Sequence, residues 1–137
     1  FVASTTTNKV IVYNRNDDGT LTEKERLDTG IGVDNIDIDF DGNLWIGCHP
    51  QPLKFLSHAK DSTKLSPSVI LKLIYLPQAE HRFIQEGIFA DTGSRLSASS
   101  VAVYYEPNPK KGAVQANNTL LIGSVFERKI LKLRRQY

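Results

Sequence analysis

The sequence predicts an all-β protein built from stacked antiparallel sheets, and three observations carry that prediction. Apolar residues recur with period two rather than 3.6, the runs are short and β-branched or aromatic, and Asn, Asp, Gly or Pro bounds each of them. The runs are VIVYN (10–14), NIDIDF (35–40), NLWIGC (43–48), LKFLS (53–57), SVILKLIYL (68–76), SVAVYY (100–105) and TLLIGSVF (119–126). No convincing amphipathic helix interrupts them. The stretch QAEHRFIQEGIF reads either as a turn of helix or as one more strand.

The runs also repeat. Phe1-Val2-Ala3-Ser4, Trp45-Ile46-Gly47-Cys48 and Leu121-Ile122-Gly123-Ser124 each place a large apolar residue, a β-branched one and two small ones in order. A few residues later a Lys opens or joins a fresh strand: KVIVYN, LKFLSH, KILKLR. A strand-turn-strand unit at this spacing, with an insertion in the second interval, is what β-propeller blades produce. Residues 1–30 then read as the end of one blade, 33–97 as a whole blade (to about residue 76) plus an insertion, and 98–137 as most of the last blade. Two to three blades leave sheet faces bare, so the chain is expected to be the C-terminal part of a larger propeller, truncated or nicked, whose N-terminal half is its partner. A stand-alone sandwich of about ten strands is the alternative.

The 137 residues carry 17 Lys and Arg against 15 Asp and Glu, a formal charge of +2, which gives no electrostatic reason for a nucleic-acid partner. The basic cluster Arg128, Lys129, Lys132, Arg134 and Arg135 reads as the solvated face and frayed end of a strand. No apolar run is long enough for a transmembrane helix, and no signal-peptide pattern is visible. With one cysteine, Cys48, no disulfide forms within the chain. Asn117-Asn118-Thr119 is a glycosylation sequon, relevant only to a secreted protein.

Asp37-Ile38-Asp39-Phe40-Asp41-Gly42 matches the opening of an EF-hand loop, but the twelfth position is Cys48 and no helices flank it. The run reads instead as a hairpin: Ile36, Ile38 and Phe40 on one face, Asp37, Asp39 and Asp41 on the solvent side, and Asp41-Gly42 in the turn. Asp34-Asn35, just before that strand, is either a turn or cap or a pair of hard oxygen ligands where an inner strand opens onto a channel. Cys48 and His49 point to opposite faces of a strand, so His49 is badly placed to activate the thiol. His49, fixed by Pro50, is a candidate cavity residue, whereas His58 and His81 read as surface residues. No nucleophile elbow, HExxH or cysteine-rich zinc spacing occurs.

GVDNIDIDFDGNLWIGCHPQPLKFLSH resembles the C-terminal part of the paraoxonase/arylesterase family, calcium-dependent six-bladed propellers that hydrolyse lactones and aryl esters. SASSVAVYY with NTLLIGSVFERKIL resembles that family's final blade, and FVASTTTNKVIVYNRN the blade before VDN. The resemblance implies that Asp34 and Asn35 ligate a catalytic Ca2+ that polarises the substrate carbonyl. It implies that His49 lines the cavity, that Cys48 is an unpaired thiol, and that Leu56, Ser100 and Val125 are substrate-pocket walls. It implies a small ester or lactone as substrate, a secreted or membrane-associated extracytoplasmic location, and further calcium ligands and a catalytic histidine in an N-terminal half. The ending KILKLRRQY lacks the cysteine that the family bridges to its N-terminal strand. The rivals are a gluconolactonase-like or strictosidine-synthase-like propeller, which should not show VDN and GCHP together, and a non-catalytic propeller that only binds.

Overall fold

The computed structural model of the chain describes residues 1–78, 82–106 and 118–134. The chain is mostly β-sheet, in three antiparallel sheets taken in sequence order. Strands β1 (Val2–Ser4), β2 (Lys9–Arg15) and β3 (Leu21–Asp28) form the first sheet. The second holds β4 (Gly32–Ile38), β5 (Leu44–His49), β6 (Ser68–Tyr75) and β7 (Phe83–Asp91) in that order, and the third holds β8 (Ser99–Tyr105), β9 (Thr119–Ser124) and β10 (Leu131–Arg134). Within each sheet every strand pairs with its chain neighbour.

The middle sheet is covered on both faces, and β5 shows it: all six of its residues are buried. Leu44, Ile46 and Cys48 pack with Val10, Val33, Leu71 and Leu73 toward the first sheet. Trp45 points the other way, into a second core with Ile70, Phe89, Ala102, Leu120 and Ile122. Period-two alternation therefore survives in β5 as a choice between two cores rather than between core and water.

One helix departs from the expectation. LKFLS, read as a strand, lies within α1 (Pro52–Lys60). Pro52 at the helix start supplies a preset φ where no N–H partner is required, and no β-branched residue follows within the helix. The apolar alternation at Leu53 and Phe55 was misleading, because the buried stripe is Phe55 and His58, three residues apart on one helical face. Without LKFLS as a strand, the middle sheet obtains its fourth strand from β7, which is how QAEHRFIQEGIF resolves from Phe83 onward. His58 is also not a surface residue: it is 2% exposed, and its Nδ1–H donates to Lys64 O at 2.6 Å, tying the helix to the loop that follows. His81 and Asn117 lie outside the described residues.

The hairpin from β4 to β5 forms as predicted, with Gly42 at φ +85°. Its apolar face does not. Ile36 packs on the core, but Ile38 and Phe40 are 52% and 68% exposed, since the strand ends at Ile38 and Phe40 rides on the turn. Asp39 is the organiser rather than a solvent-facing residue. Its carboxylate accepts from Asp41 N–H, Asn43 N–H, Asn43 Nδ2 and the Trp45 indole Nε1 at 2.9 Å. Asp39→Ala leaves the buried indole N–H without an acceptor and is expected to cost about 2 kcal/mol in thermal unfolding of the full-length protein. Asp37→Ala and Asp41→Ala should each stay within about 0.5 kcal/mol; equal losses at all three would refute this account of the turn.

Candidate functional site

Two β-bulges build the candidate site. In the β4–β5 ladder Val33 faces Cys48 and Ile36 faces Ile46, so Asp34 and Asn35 together oppose the single residue Gly47. A bulge of this kind leaves its extra residue out of the ladder and re-aims the side chains, turning both polar groups of VDN toward the same side. The β8–β9 ladder is irregular at the matching place: Ser99 faces Ser124 and Val101 faces Gly123, which leaves Ser100 outside the ladder. The strands meet here, because β4 and β5 both pack on β8.

Gly47 makes the approach feasible. A Cβ at that position would lie 2.2 Å from the Ser100 carbonyl carbon and 2.4 Å from the Val101 nitrogen. With only hydrogen there, Asn35 Nδ2 reaches the Ser100 carbonyl oxygen at 3.2 Å and Asp34 Oδ1 at 3.3 Å. The other carboxylate oxygen, Asp34 Oδ2, is 3.1 Å from His49 Nε2. The other ring nitrogen, His49 Nδ1, is buried and has no hydrogen-bond partner. Asp34, Asn35, His49 and Ser100 are thus brought together.

Leu56 and Val125 are 54% and 51% exposed, and neither has a polar role in the cluster. Their neighbours matter more. His49 lies against Phe55 at 4.0 Å between ring centroids, Phe55 is 5.6 Å from Phe126, and Phe126 is 5.8 Å from His58. This aromatic run beside the Asp34–His49 pair was missed in the sequence because it depends on α1, whose helical face puts Phe55 rather than Leu56 inward. Only the proximity of KFLSH to GCHP hinted at it.

Cys48 is buried on the opposite face of β5, and burial pushes its thiol up to about 12. A neutral thiol is neither nucleophile nor ligand at working pH. We expect no alkylation of Cys48 by iodoacetamide at pH 8 in the native protein, with modification only on unfolding, followed by peptide mass spectrometry. Rapid native labelling would contradict this.

For calcium, the cluster offers hard oxygen donors of the right chemistry: the Asp34 carboxylate, 29% exposed, and the amide oxygen of the exposed Asn35. Calcium takes roughly six to eight oxygens. Among the described residues no group of three or more His, Cys, Asp or Glu could hold a metal, and Asp34 and Asn35 supply two oxygen donors.

The fold and the cluster together define an all-β scaffold that presents a carboxylate–imidazole pair and a carboxamide from bulged strand starts, beside an aromatic wall. The chain belongs to the arylesterase family, whose sequence model matches residues 1–132. It is 32% identical over 129 residues to human serum paraoxonase/arylesterase 1. It is 30% identical to chicken serum paraoxonase/arylesterase 2 and 26% identical to human serum paraoxonase/lactonase 3. Each alignment covers 93% of this chain and 32% of the relative, so the chain spans about a third of their length. No helix among the described residues is long and apolar enough to cross a membrane.

Proposed function

We propose that this chain is the C-terminal two to three blades of a six-bladed β-propeller which, joined to its N-terminal half, is a calcium-dependent hydrolase of aryl esters and lactones. The observation that carries the reading is the convergence of Asp34, Asn35 and His49 at a bulge facing Ser100, in a family whose named members include arylesterases and a lactonase. The bare face of the last sheet supports the need for an N-terminal partner. Val103 and Leu121 pair across β8 and β9 on the side away from the middle sheet, and with Tyr105 they are 36–57% exposed.

Asp34 and Asn35 would hold the calcium. When bound, it polarises the carbonyl oxygen of the ester or lactone and stabilises the negative charge that develops there as water attacks. The chain's own residues do the rest of the positioning. His49 fixes the rotamer of the Asp34 carboxylate, the Ser100 carbonyl fixes the Asn35 amide, and Phe55 packs against the His49 ring. Secretion, or attachment outside the cytoplasm, goes with the same reading.

Hydrolysis of phenyl acetate and of a δ-lactone by the full-length protein should disappear on calcium chelation and return on calcium addition, while residues 1–137 alone show none. Full activity in protein shown by metal analysis to be calcium-free would end the proposal.

A further inference from the structure

Ser100 brings its carbonyl to Asn35 from a place that the last sheet does not control. It lies outside the β8–β9 ladder, between the paired residues Ser99 and Val101, so the direction of its carbonyl depends on what holds the chain just before it. That preceding stretch contains Ala98 at φ +53°, a left-handed conformation that an L side chain avoids. A residue held there relaxes unless its surroundings fix it from both sides.

Those surroundings are Ser66 and Ser68, at the entry to β6. The Ser68 hydroxyl donates to Leu96 O at 2.6 Å and accepts from Ser99 N–H at 2.9 Å, so one side chain spans the left-handed residue from its N-terminal to its C-terminal side. Ser66 acts in between: its carbonyl accepts from Ala98 N–H at 3.1 Å, and its own N–H donates to Ser97 Oγ at 3.3 Å. Pro67, with its fixed φ, joins the two serines. Ser68, Leu96, Ala98 and Ser99 are fully buried, so bulk water does not replace a lost partner. The Ser99 hydroxyl is the weaker tie, since its contacts to the Cys48 and Val69 carbonyls are 3.4 and 3.3 Å and one hydrogen serves both.

We infer that Ser68 is a positioning residue for the calcium site: its hydroxyl clamps residues 96–99 in the strained turn that aims the Ser100 carbonyl at Asn35, and through that carbonyl it fixes the Asn35 amide. The inference rests on the hydrolase reading proposed above.

Calorimetric calcium titration of the full-length protein tests it, together with hydrogen exchange over residues 96–101 in the calcium-free protein. Removing a ligand's oriented partner typically weakens metal binding about 10–100-fold, and Ser68 acts one step further back, so Ser68→Ala is expected to weaken calcium about tenfold. Exchange at the Ser99 amide should quicken by about tenfold or more, because its only side-chain acceptor there is gone. Asp39→Ala, which removes the hydrogen bonds of the β4–β5 turn, controls for a general loss of stability and should leave calcium affinity within about twofold of wild type. The double variant Ser68→Ala/Ala98→Gly removes the strain along with the clamp, since glycine adopts this φ freely, and should return calcium affinity to within about threefold of wild type. Should Ser68→Ala fail to fold, Ser68→Cys, with only weak S–H hydrogen bonding, is read by the same criterion. Unchanged calcium affinity in the Ser68 variant, an equal loss in Asp39→Ala, or no recovery in the double variant would each overturn the positioning role. Wild-type protein that binds no calcium would instead end the hydrolase reading, and the positioning role with it.

Discussion

Asp34→Ala in the full-length protein is expected to lower kcat/KM for phenyl acetate and for lactones at least a hundredfold, and to raise the calcium concentration needed for half-maximal activity tenfold or more. Asp34 has two tasks that no neighbour can assume. Among the described residues it is the only carboxylate in the cluster, so on the proposed reading its loss removes the formal negative charge offered to the calcium there. It also holds His49 through a 3.1 Å contact, and without it the buried imidazole has both nitrogens unpaired. Loss of a ligand's oriented partner alone typically costs about 10–100-fold in metal affinity, so His49→Ala should weaken calcium less than Asp34→Ala does. Calorimetry of calcium binding separates the metal from the chemistry. Calcium affinity and hydrolysis both unchanged in Asp34→Ala would remove this residue from the ligand set.

Much of the scaffold was legible because β-structure writes its period into short runs. Val10, Val12, Ile36, Leu44, Ile46, Ile70 and Ala102 all fall in strands where alternation placed them. What alternation cannot show is register. Asp34 and Asn35 act together only because one extra residue is inserted opposite Gly47, and an insertion of that kind is visible in the pairing, not in the pattern. Without it, two adjacent strand residues point to opposite faces. α1 was hidden for a related reason. Its inward face is carried by one aromatic residue and one histidine, and a buried imidazole does not count toward an apolar period. Asp39 was undervalued because an aspartate in a hairpin turn is ordinarily solvated. Here the chain folds its carboxylate back onto the indole of Trp45, six residues on.

The small residues of the repeated tetrapeptide acquire a physical meaning through Gly47, and its replacement should have the largest effect on stability. A Cβ at Gly47 would sit within 2.5 Å of three backbone atoms of Ser100 and Val101. Backbone has no rotamer to change, so the clash is relieved only by moving β8 away from β5. That movement opens the core around Trp45, Ala102 and Ile122 and draws the Ser100 carbonyl away from Asn35. We expect Gly47→Ala to destabilise the full-length protein by about 3 kcal/mol, the upper end for overpacking, and to reduce hydrolysis even where the fold persists. Gly123, at the same place in its repeat, meets only the Val101 side chain, at 2.8 Å, and should tolerate alanine better. Gly87 is the control: a Cβ there meets nothing within 4 Å, and Gly87→Ala should change stability by no more than about 0.5 kcal/mol. If Gly47→Ala and Gly87→Ala unfold alike, β8 does not approach β5 this closely, and the Asn35–Ser100 contact that helps assemble the site is absent in solution.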